Sequence, residues 1–527
     1  MRIAAIDLGS NSFHLLVVET RADGSFVALV REKEMLRLGD LVAREGRLTE
    51  EAIVRAVEVV GRFRALAEAQ GATELLAYGT AALREASNGA AAAERLEAET
   101  GVRVEVINGL REAQLIFEAV RSSVLIEPGP ALAADLGGGS LELGVGYRSG
   151  LVYATSLHLG VGRLTTELVG SDPPSDKDVK RLRRRVADRL DEVQDELAET
   201  SPRQLIGSSG TFVALVRAAA AFRDGTVPEV VNQLSVGRKE LAELSSLVFS
   251  LPADERARLP GIDARRAELL PAGMAVLEGL MERTGLYEVT ASEWALREGI
   301  VLSAIRRHDR ADLGDDPRAI RRASALSLCR RSSWREDHGR EVAKLAVELF
   351  DATSSLHGLG PDDRELLELA ALLHDVGETV SRDGHGRHTA YLIEHGGLRG
   401  FSPDEVRLLG VLGRYHTRGR PRTSFPAFEA LGEELRVRCV RLLALLRIAD
   451  GLDIAHDSAV RSVGAAVSAE SVEIVVTARG DAELEQWIFE RKKGLFEEIF
   501  GIPVTLWCQG AGHDELDGAL ADGSGLG

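Results

Sequence analysis

One pattern constrains this chain more than any other, and it occurs twice. Near the start, the apolar run IAAI leads into DLGSNSFHL (7–15), and the chain then resumes with LVVE. At an offset of 128 residues (Asp7 onto Asp135), ALAADLGGGSLELGVGY (131–147) repeats it. Ala5/Ala133, Asp7/Asp135, Leu8/Leu136, Gly9/Gly137, Ser12/Ser140, Leu15/Leu143 and Val17/Val145 coincide. Each copy predicts strand, Gly-rich turn, strand. A single such hairpin is a common surface feature. Two aligned copies, heading segments of similar length, predict duplicated domains whose loops face each other.

The turns have a chemistry. Glycines at Gly9, Gly137, Gly138 and Gly139 let backbone N–H groups point into the turn and hold phosphate oxygens. Ser10, Asn11, Ser12 and Ser140 add side-chain donors. The Asp closing each first strand, Asp7 or Asp135, suits a hard cation such as Mg2+ bridging those phosphates. A third turn, Gly207-Ser208-Ser209-Gly210-Thr211, follows an apolar strand and opens an apolar helix. Alone it is an ordinary capped helix. With the other two it becomes a third wall of one anion-binding cleft.

Composition narrows the class. At 527 residues the chain is too long for one core. A net charge of -18 argues against general nucleic-acid binding. Three cysteines, none in a CxxC, exclude a disulfide framework and a thiolate zinc site. Met1 leads directly into the first apolar strand, and no long uncharged apolar stretch follows. The expected location is cytoplasmic, with no membrane and no nucleic acid as partner.

Taken in order, DLGSNSFHL (7–15), RLG (37–39), GTAALREASN (79–88), VINGLREAQLIFEAV (106–120), DLGGGSLEL (135–143), LHLGVGRLT (157–165), GSSGT (207–211) and LREG (296–299) resemble the actin/sugar-kinase superfamily. Within it they resemble the exopolyphosphatase/guanosine pentaphosphate phosphohydrolase (Ppx/GppA) family. The resemblance implies an α/β fold of duplicated actin-like, ribonuclease H-like lobes, lobe I over 1–125 and lobe II over 126–305. Two departures stand out: the family usually has Ser in place of Asn108 and an acidic residue in place of Arg111. Arg111 adds a positive charge beside the proposed base, an arrangement that lowers its pKa.

Hydrolysis of a terminal phosphoanhydride needs a water, a base, a cation and donors for developing charge. The family's catalytic Glu falls on Glu112, in a stretch predicted as a turn followed by an amphipathic helix. By itself Glu112 reads more commonly as a first-turn Glu facing the helix dipole. Glu142 alternates with Leu141 and Leu143, so it points to the opposite face. The resemblance makes it a second carboxylate at the attacking water or metal, where the residue alone reads as a solvated strand position. Asp135 is expected to hold Mg2+ or Mn2+, supported by Asp7 through water. Arg37, Arg84 and Arg163 are candidate phosphate clamps. The run KRLRRRVADRL (180–190) is a solvated helix face or a guide for a polyanion.

The charged segment 306–322 is expected to be a linker. Helical periodicity follows in 337–350 and 364–378. His338, His374-Asp375 and Asp450 give the order H…HD…D, which looks like an all-α HD-type domain, placed at 323–460. This is a second candidate divalent-metal site. His385, His388 and His416 lie between and extend it toward two metals. Its role is metal binding with or without turnover, or chain binding and dimerisation with the ligands kept for stability. Residues 461–510 are expected to form a small α/β cap of strand (SVEIVVTA), helix (LEQWIFERKKGLFEEIF) and strand (IPVTLWC), with Lys492 and Lys493 as polyanion contacts. The tail 511–527 is expected to be disordered.

The leading expectation is an exopolyphosphatase releasing phosphate from the end of inorganic polyphosphate. The alternatives are a pppGpp 5'-phosphohydrolase forming ppGpp, and a non-catalytic nucleotide or polyphosphate sensor. The resemblance also implies a homodimer.

Overall fold

The computed structural model describes residues 1–21, 24–308, 316, 318–332, 334–480 and 482–510. The chain divides into two compact units, Met1–Ile320 and Arg321–Gly527.

The first unit holds two sheets built to one plan. The first comprises β1 (Arg2–Leu8), β2 (Ser12–Thr20), β3 (Phe26–Met35), β4 (Glu74–Gly79) and β5 (Val104–Val106). The second comprises β6 (Ala131–Leu136), β7 (Leu141–Tyr147), β8 (Gly150–Leu157), β9 (Gln204–Ser208), β10 (Ser235–Gly237) and β11 (Glu288–Ala291). The strand orders are β3-β2-β1-β4-β5 and β8-β7-β6-β9-β11-β10. Each begins with two antiparallel hairpins and continues parallel, β1 to β4 and β6 to β9. The short β10 pairs antiparallel with β11 at the edge of the second sheet. The sequence duplication is therefore a duplication of topology. β1 and β6 are buried over nearly their whole length, as central strands covered on both faces must be.

Helices cover the outer faces. Glu50–Ala69 and Gly89–Thr100 pack on the first sheet, and Asp176–Leu190, Ser209–Asp224 and Leu270–Thr284 on the second. Between the sheets lie Gly109–Val120 and Leu296–His308. Their Leu115, Ile116, Phe117, Ile300 and Val301 share one core with Ile3 and Leu16 of the first sheet and Ala133 and Ile206 of the second. This shared core fixes the strand ends of both sheets around one cleft. Asn108 caps Gly109–Val120 by accepting from the Arg111 N–H at 2.8 Å.

In the second unit, the helices Glu336–Ala352, Pro361–Leu373, His385–His395, Pro403–Tyr415 and Glu433–Gly451 enclose a Leu-rich core. A three-stranded sheet of β12 (Val460–Val467), β13 (Val472–Ala478) and β14 (Val504–Gly510) contributes Val472, Ile474 and Val504 to that same core.

Three expectations need adjustment. The single helix expected over LEQWIFERKKGLFEEIF is two, Glu483–Lys492 and Gly494–Phe500, separated at Lys493, with Gly494 opening the second. β12 was not expected, because VRSVGAAV lacks apolar alternation and is organised by pairing with β13. Of the expected linker 306–322, the helix Leu296–His308 reaches into its start and the helix Ala319–Arg331 begins at its end. Residues 309–315 and 317, and the tail 511–527, lie outside the described residues. No helix among the described residues is long and apolar enough to cross a membrane.

Candidate active site

The strand ends of the two sheets and the start of the helix Ser209–Asp224 enclose a cleft of about 570 Å³. All three glycine-rich turns reach it: Gly9 to Ser12, Gly137 to Ser140, and Ser209 to Thr211 line its wall. Gly207 and Ser208 sit behind, where the Ser208 hydroxyl donates to Asp135 Oδ2 at 2.6 Å. The second turn is held from outside. Val161 N–H donates to Gly137 O, and Gly162 N–H to Gly138 O, both at 3.0 Å. A Cβ on Gly160 would lie 2.2 Å from Gly139 C and 2.4 Å from Gly138 C. Only glycine allows that approach.

Asp7, Glu112, Asp135 and Glu293 line the cleft, and Glu142 is buried opposite Asp135 in the β6–β7 pair. Asp7 and Asp135 stand at equivalent strand ends. In cross-strand register Asp7 faces His14, and Asp135 faces Glu142. Burial raises Asp7 to about 7 and Asp135 to about 6. Arg297, from the LREG segment, opposes the shift at both. Asp7 Oδ1 is buried without a hydrogen-bond partner. Glu142 is 2% exposed and accepts from Ser156 Oγ at 2.8 Å. It is therefore no solvated strand residue. Its pKa is raised well above the ordinary value by burial and then by the charge of Glu112.

Glu112 lies in the first turn of the helix Gly109–Val120 and is buried. Burial raises it to about 7 against the opposing charge of Arg84, whose Nη1 donates to Glu112 Oε2 at 3.0 Å. The expectation for Arg111 is thus reversed. Arg111 turns away to donate to Ser303 Oγ at 3.2 Å, and burial pushes the base up.

The three sequence-predicted arginines all have protein partners. Arg37 is half exposed and pairs with Glu268 at 3.5 Å. Arg84 pairs with Glu112, and Arg163 with Glu85. The arginines that line the cleft are Arg31, Arg266 and Arg297. Arg266 lies directly over Gly210, where its guanidinium fills the space a Cβ would take. Sequence reasoning missed these. Only Arg297 carried a signal, through LREG. On the basic helix, Arg181, Arg183, Arg185 and Arg189 pair with Asp178, Glu278, Glu167 and Glu192.

The donors fit a divalent cation. The unpartnered Asp7 Oδ1 and two buried carboxylates of raised pKa are sites a cation would relieve. Among the described residues these acids do not form a preformed three-ligand cluster.

In the second unit, His338, His374, Asp375 and Asp450 converge as expected from H…HD…D. His338 and His374 Nε2 lie 3.2 Å apart. Each lies within 3.9 Å of carboxylate oxygens of Asp375 and Asp450. His385 and His416 join on the far side of Asp375. His388 takes part in none of the candidate ligand groups among the described residues. Lys492 pairs with Asp450, and Lys493 with Glu490 at 2.8 Å.

Two sheets that share a five-strand topology, with phosphate-type loops facing across one cleft, define an actin-like fold of the phosphoryl-handling class. Comparison with known proteins makes this specific. The model of the Ppx/GppA phosphatase family matches residues 17–308, and that of Ppx/GppA phosphatase domain III matches residues 320–481. The chain belongs to the Ppx/GppA phosphatase family. Exopolyphosphatase 1 of Mycobacterium leprae is 36% identical over 310 residues, covering 57% of this chain and 89% of that protein. A guanosine-5'-triphosphate,3'-diphosphate pyrophosphatase of Aeromonas hydrophila is 29% identical over 447 residues, covering 85% of this chain and 86% of that protein. The crystal structure of an exopolyphosphatase from Cytophaga hutchinsonii superposes with a TM-score of 0.55 at 28% identity, covering 58% of this chain and 98% of that one.

Proposed function

We propose that the chain is an exopolyphosphatase that removes the terminal phosphate of inorganic polyphosphate in the cleft of its first unit. The observation that carries this is the pair Glu112 and Glu142: both buried, and both held above the ordinary carboxylate range, beside three phosphate-type loops. A binding cleft has no use for two buried acids of raised pKa, one of which raises the other, whereas orienting and deprotonating water does.

In this reading the backbone N–H groups of Gly137 to Ser140, with Ser10 and Asn11, hold the terminal phosphates, and Arg266 and Arg297 neutralise their charge. Glu112 and Glu142 orient a water on the terminal phosphorus. Glu112, with a pKa of about 7, accepts its proton as the new P–O bond forms. The bond to the bridging oxygen breaks, and the shortened chain leaves with the electron pair. Asp135, supported by Asp7, would hold Mg2+ or Mn2+, and the ion when bound would supply charge neutralisation for the phosphate oxygens. A second ion site is His338, His374, Asp375 and Asp450 in the second unit.

A pppGpp 5'-phosphohydrolase is the second reading. It is favoured by the Aeromonas hydrophila relative, whose alignment covers 85% of this chain, more than the first unit holds, where the Mycobacterium leprae one covers 57%. A cytoplasmic homodimer goes with either reading, supported by family resemblance and by the absence of an apolar span in the sequence.

The test is phosphate release with Mg2+ from long-chain polyphosphate and from pppGpp in parallel, for wild type, Glu112→Gln and His374→Ala. Polyphosphate turnover lost only in Glu112→Gln supports the proposal. Preference for pppGpp promotes the second reading. Tight binding of either without release turns the cleft into a sensor.

A further inference from the structure

We infer that Arg163 is a positioning residue for hydrolysis. It braces the loop Gly137 to Ser140 against the short helix Ala81–Glu85, and so sets where a bound phosphate lies relative to Glu112. The inference deepens the reading of the cleft above and rests on it.

Arg163 belongs to the helix Val161–Leu168, directly behind the loop. Its backbone N–H donates to Gly138 O at 3.1 Å, and its Nε donates to Gly139 O at 3.3 Å. The far end of the guanidinium, Nη2, is ion-paired with Glu85 Oε2. Nη1 lies 3.6 Å from Glu167 Oε1 on its own helix, and Arg185 donates to the other oxygen of Glu167 at 3.0 Å. Each of the three guanidinium nitrogens thus faces a protein oxygen. A planar fork can serve a carbonyl and a carboxylate at once in one fixed geometry. Here it spans two parts of the protein instead of gripping substrate.

The carboxylate it reaches has a telling neighbour. Glu85 ends the helix Ala81–Glu85, which follows β4 of the first sheet. The preceding residue, Arg84, donates to Glu112 Oε2 at 3.0 Å. Two consecutive residues of one short helix therefore hold the phosphate loop, through Arg163, and the proposed base. The seam between the two sheets is close-packed at the same place. A Cβ on Gly139 would lie 2.9 Å from both Ala81 Cβ and Ser10 Oγ. The loop rests directly on the start of that helix and on the first glycine turn.

This matters because the loop holds phosphate and Glu112 orients water. A misplacement of about 1 Å between reacting groups costs on the order of 10²-fold in rate. Loss of Arg163 leaves the loop's backbone supports in place, since Val161 and Gly162 N–H still donate to Gly137 O and Gly138 O. Phosphate binding is therefore kept while alignment with the base is lost.

The test measures kcat and KM for phosphate release, with Mg2+ and whichever of polyphosphate and pppGpp the wild type turns over. The variants are Arg163→Met, Glu85→Met and the double variant, with thermal melts on each. Each single variant is expected to lower kcat on the order of 10–100-fold and to move KM by no more than about threefold. The double variant is expected to fall no further, because the two side chains form one tie. A raised KM with kcat intact in Arg163→Met makes the arginine a phosphate clamp and overturns the brace. So do unchanged kcat and KM with a lowered Tm, which mark a structural pair only, and losses that add in the double variant. If Arg163→Met does not fold, Arg163→Lys is read in its place. One ammonium does not reproduce the fork, so kcat falls there too, and an undiminished kcat overturns the brace. No release from either substrate by the wild type overturns the reading of the cleft and the brace with it. A contrary result in the variants of an active wild type overturns the brace alone.

Discussion

Arg84 and Glu112 form a partly buried ion pair. One guanidinium nitrogen of Arg84 donates both to Glu112 Oε2 at 3.0 Å and to Ile107 O at 2.8 Å. The arginine is thereby fixed at the carboxylate, in a place where the sequence had suggested a phosphate clamp. A fixed cation beside a buried acid tunes that acid.

Removing Arg84 raises the Glu112 pKa above its value of about 7, because the cation favours the ionised form. In Arg84→Met the acid limb of the kcat profile moves to higher pH by about one unit. Activity falls most near pH 6 and recovers above pH 8. A pH–rate profile at saturating polyphosphate checks this, and a limb that stays in place sinks the tuning role.

Glu112→Gln and Glu142→Gln each keep the shape of the site and remove a carboxylate. Each lowers kcat on the order of 10²–10⁴-fold. The double variant falls little further, since the two acids act on one water. Steady-state phosphate release measures all three.

Glu142 also costs stability. Its folded pKa is raised by burial, so between its unfolded and folded values the native state binds more protons than the unfolded state. Stability is fully present below the unfolded pKa and is lost as pH rises through the folded one. Glu142→Gln, which cannot ionise, raises Tm at pH 8 by roughly 2–4 °C and leaves it unchanged near pH 4.5. Thermal melts in chelator at the two pH values decide; equal shifts at both would contradict the assignment.

Arg266 covers Gly210 at the start of the helix Ser209–Asp224. Arg266→Met removes a charge at the phosphate-binding wall and lowers kcat/KM on the order of 10²-fold. Initial rates at low polyphosphate concentration read this directly, and an unchanged kcat/KM removes Arg266 from the site.

Gly160 supports the second loop from behind. In Gly160→Ala the new Cβ meets the Gly138–Gly139 backbone, displacing the loop. KM rises at least about tenfold with the fold intact, because the atoms that must shift are those that hold phosphate. Titration of polyphosphate binding, alongside circular dichroism, separates a displaced loop from an unfolded one.

The repeated hairpin and its 128-residue offset were enough to specify two sheets of one topology with their glycine turns at matching strand ends. Local physics explains why: the turns need glycine, the central strands need unbroken apolar runs, and both are written in adjacent residues. The H…HD…D order was legible for the same reason, as ligand types. Other features depended on packing between distant segments. Arg111 sits next to Glu112 in the chain, yet the helix turns it toward Ser303, while Arg84, 28 residues away, reaches the acid. Arg31 and Arg266 carry no motif and enter the cleft only because the sheets and the loop ahead of the helix Leu270–Thr284 close around it. Composition and motif named the carboxylates and imidazoles. Burial, which raises Glu112, and the two-sided placement of Asp375 between pairs of histidines are properties of the assembled core, and no stretch of sequence contains them.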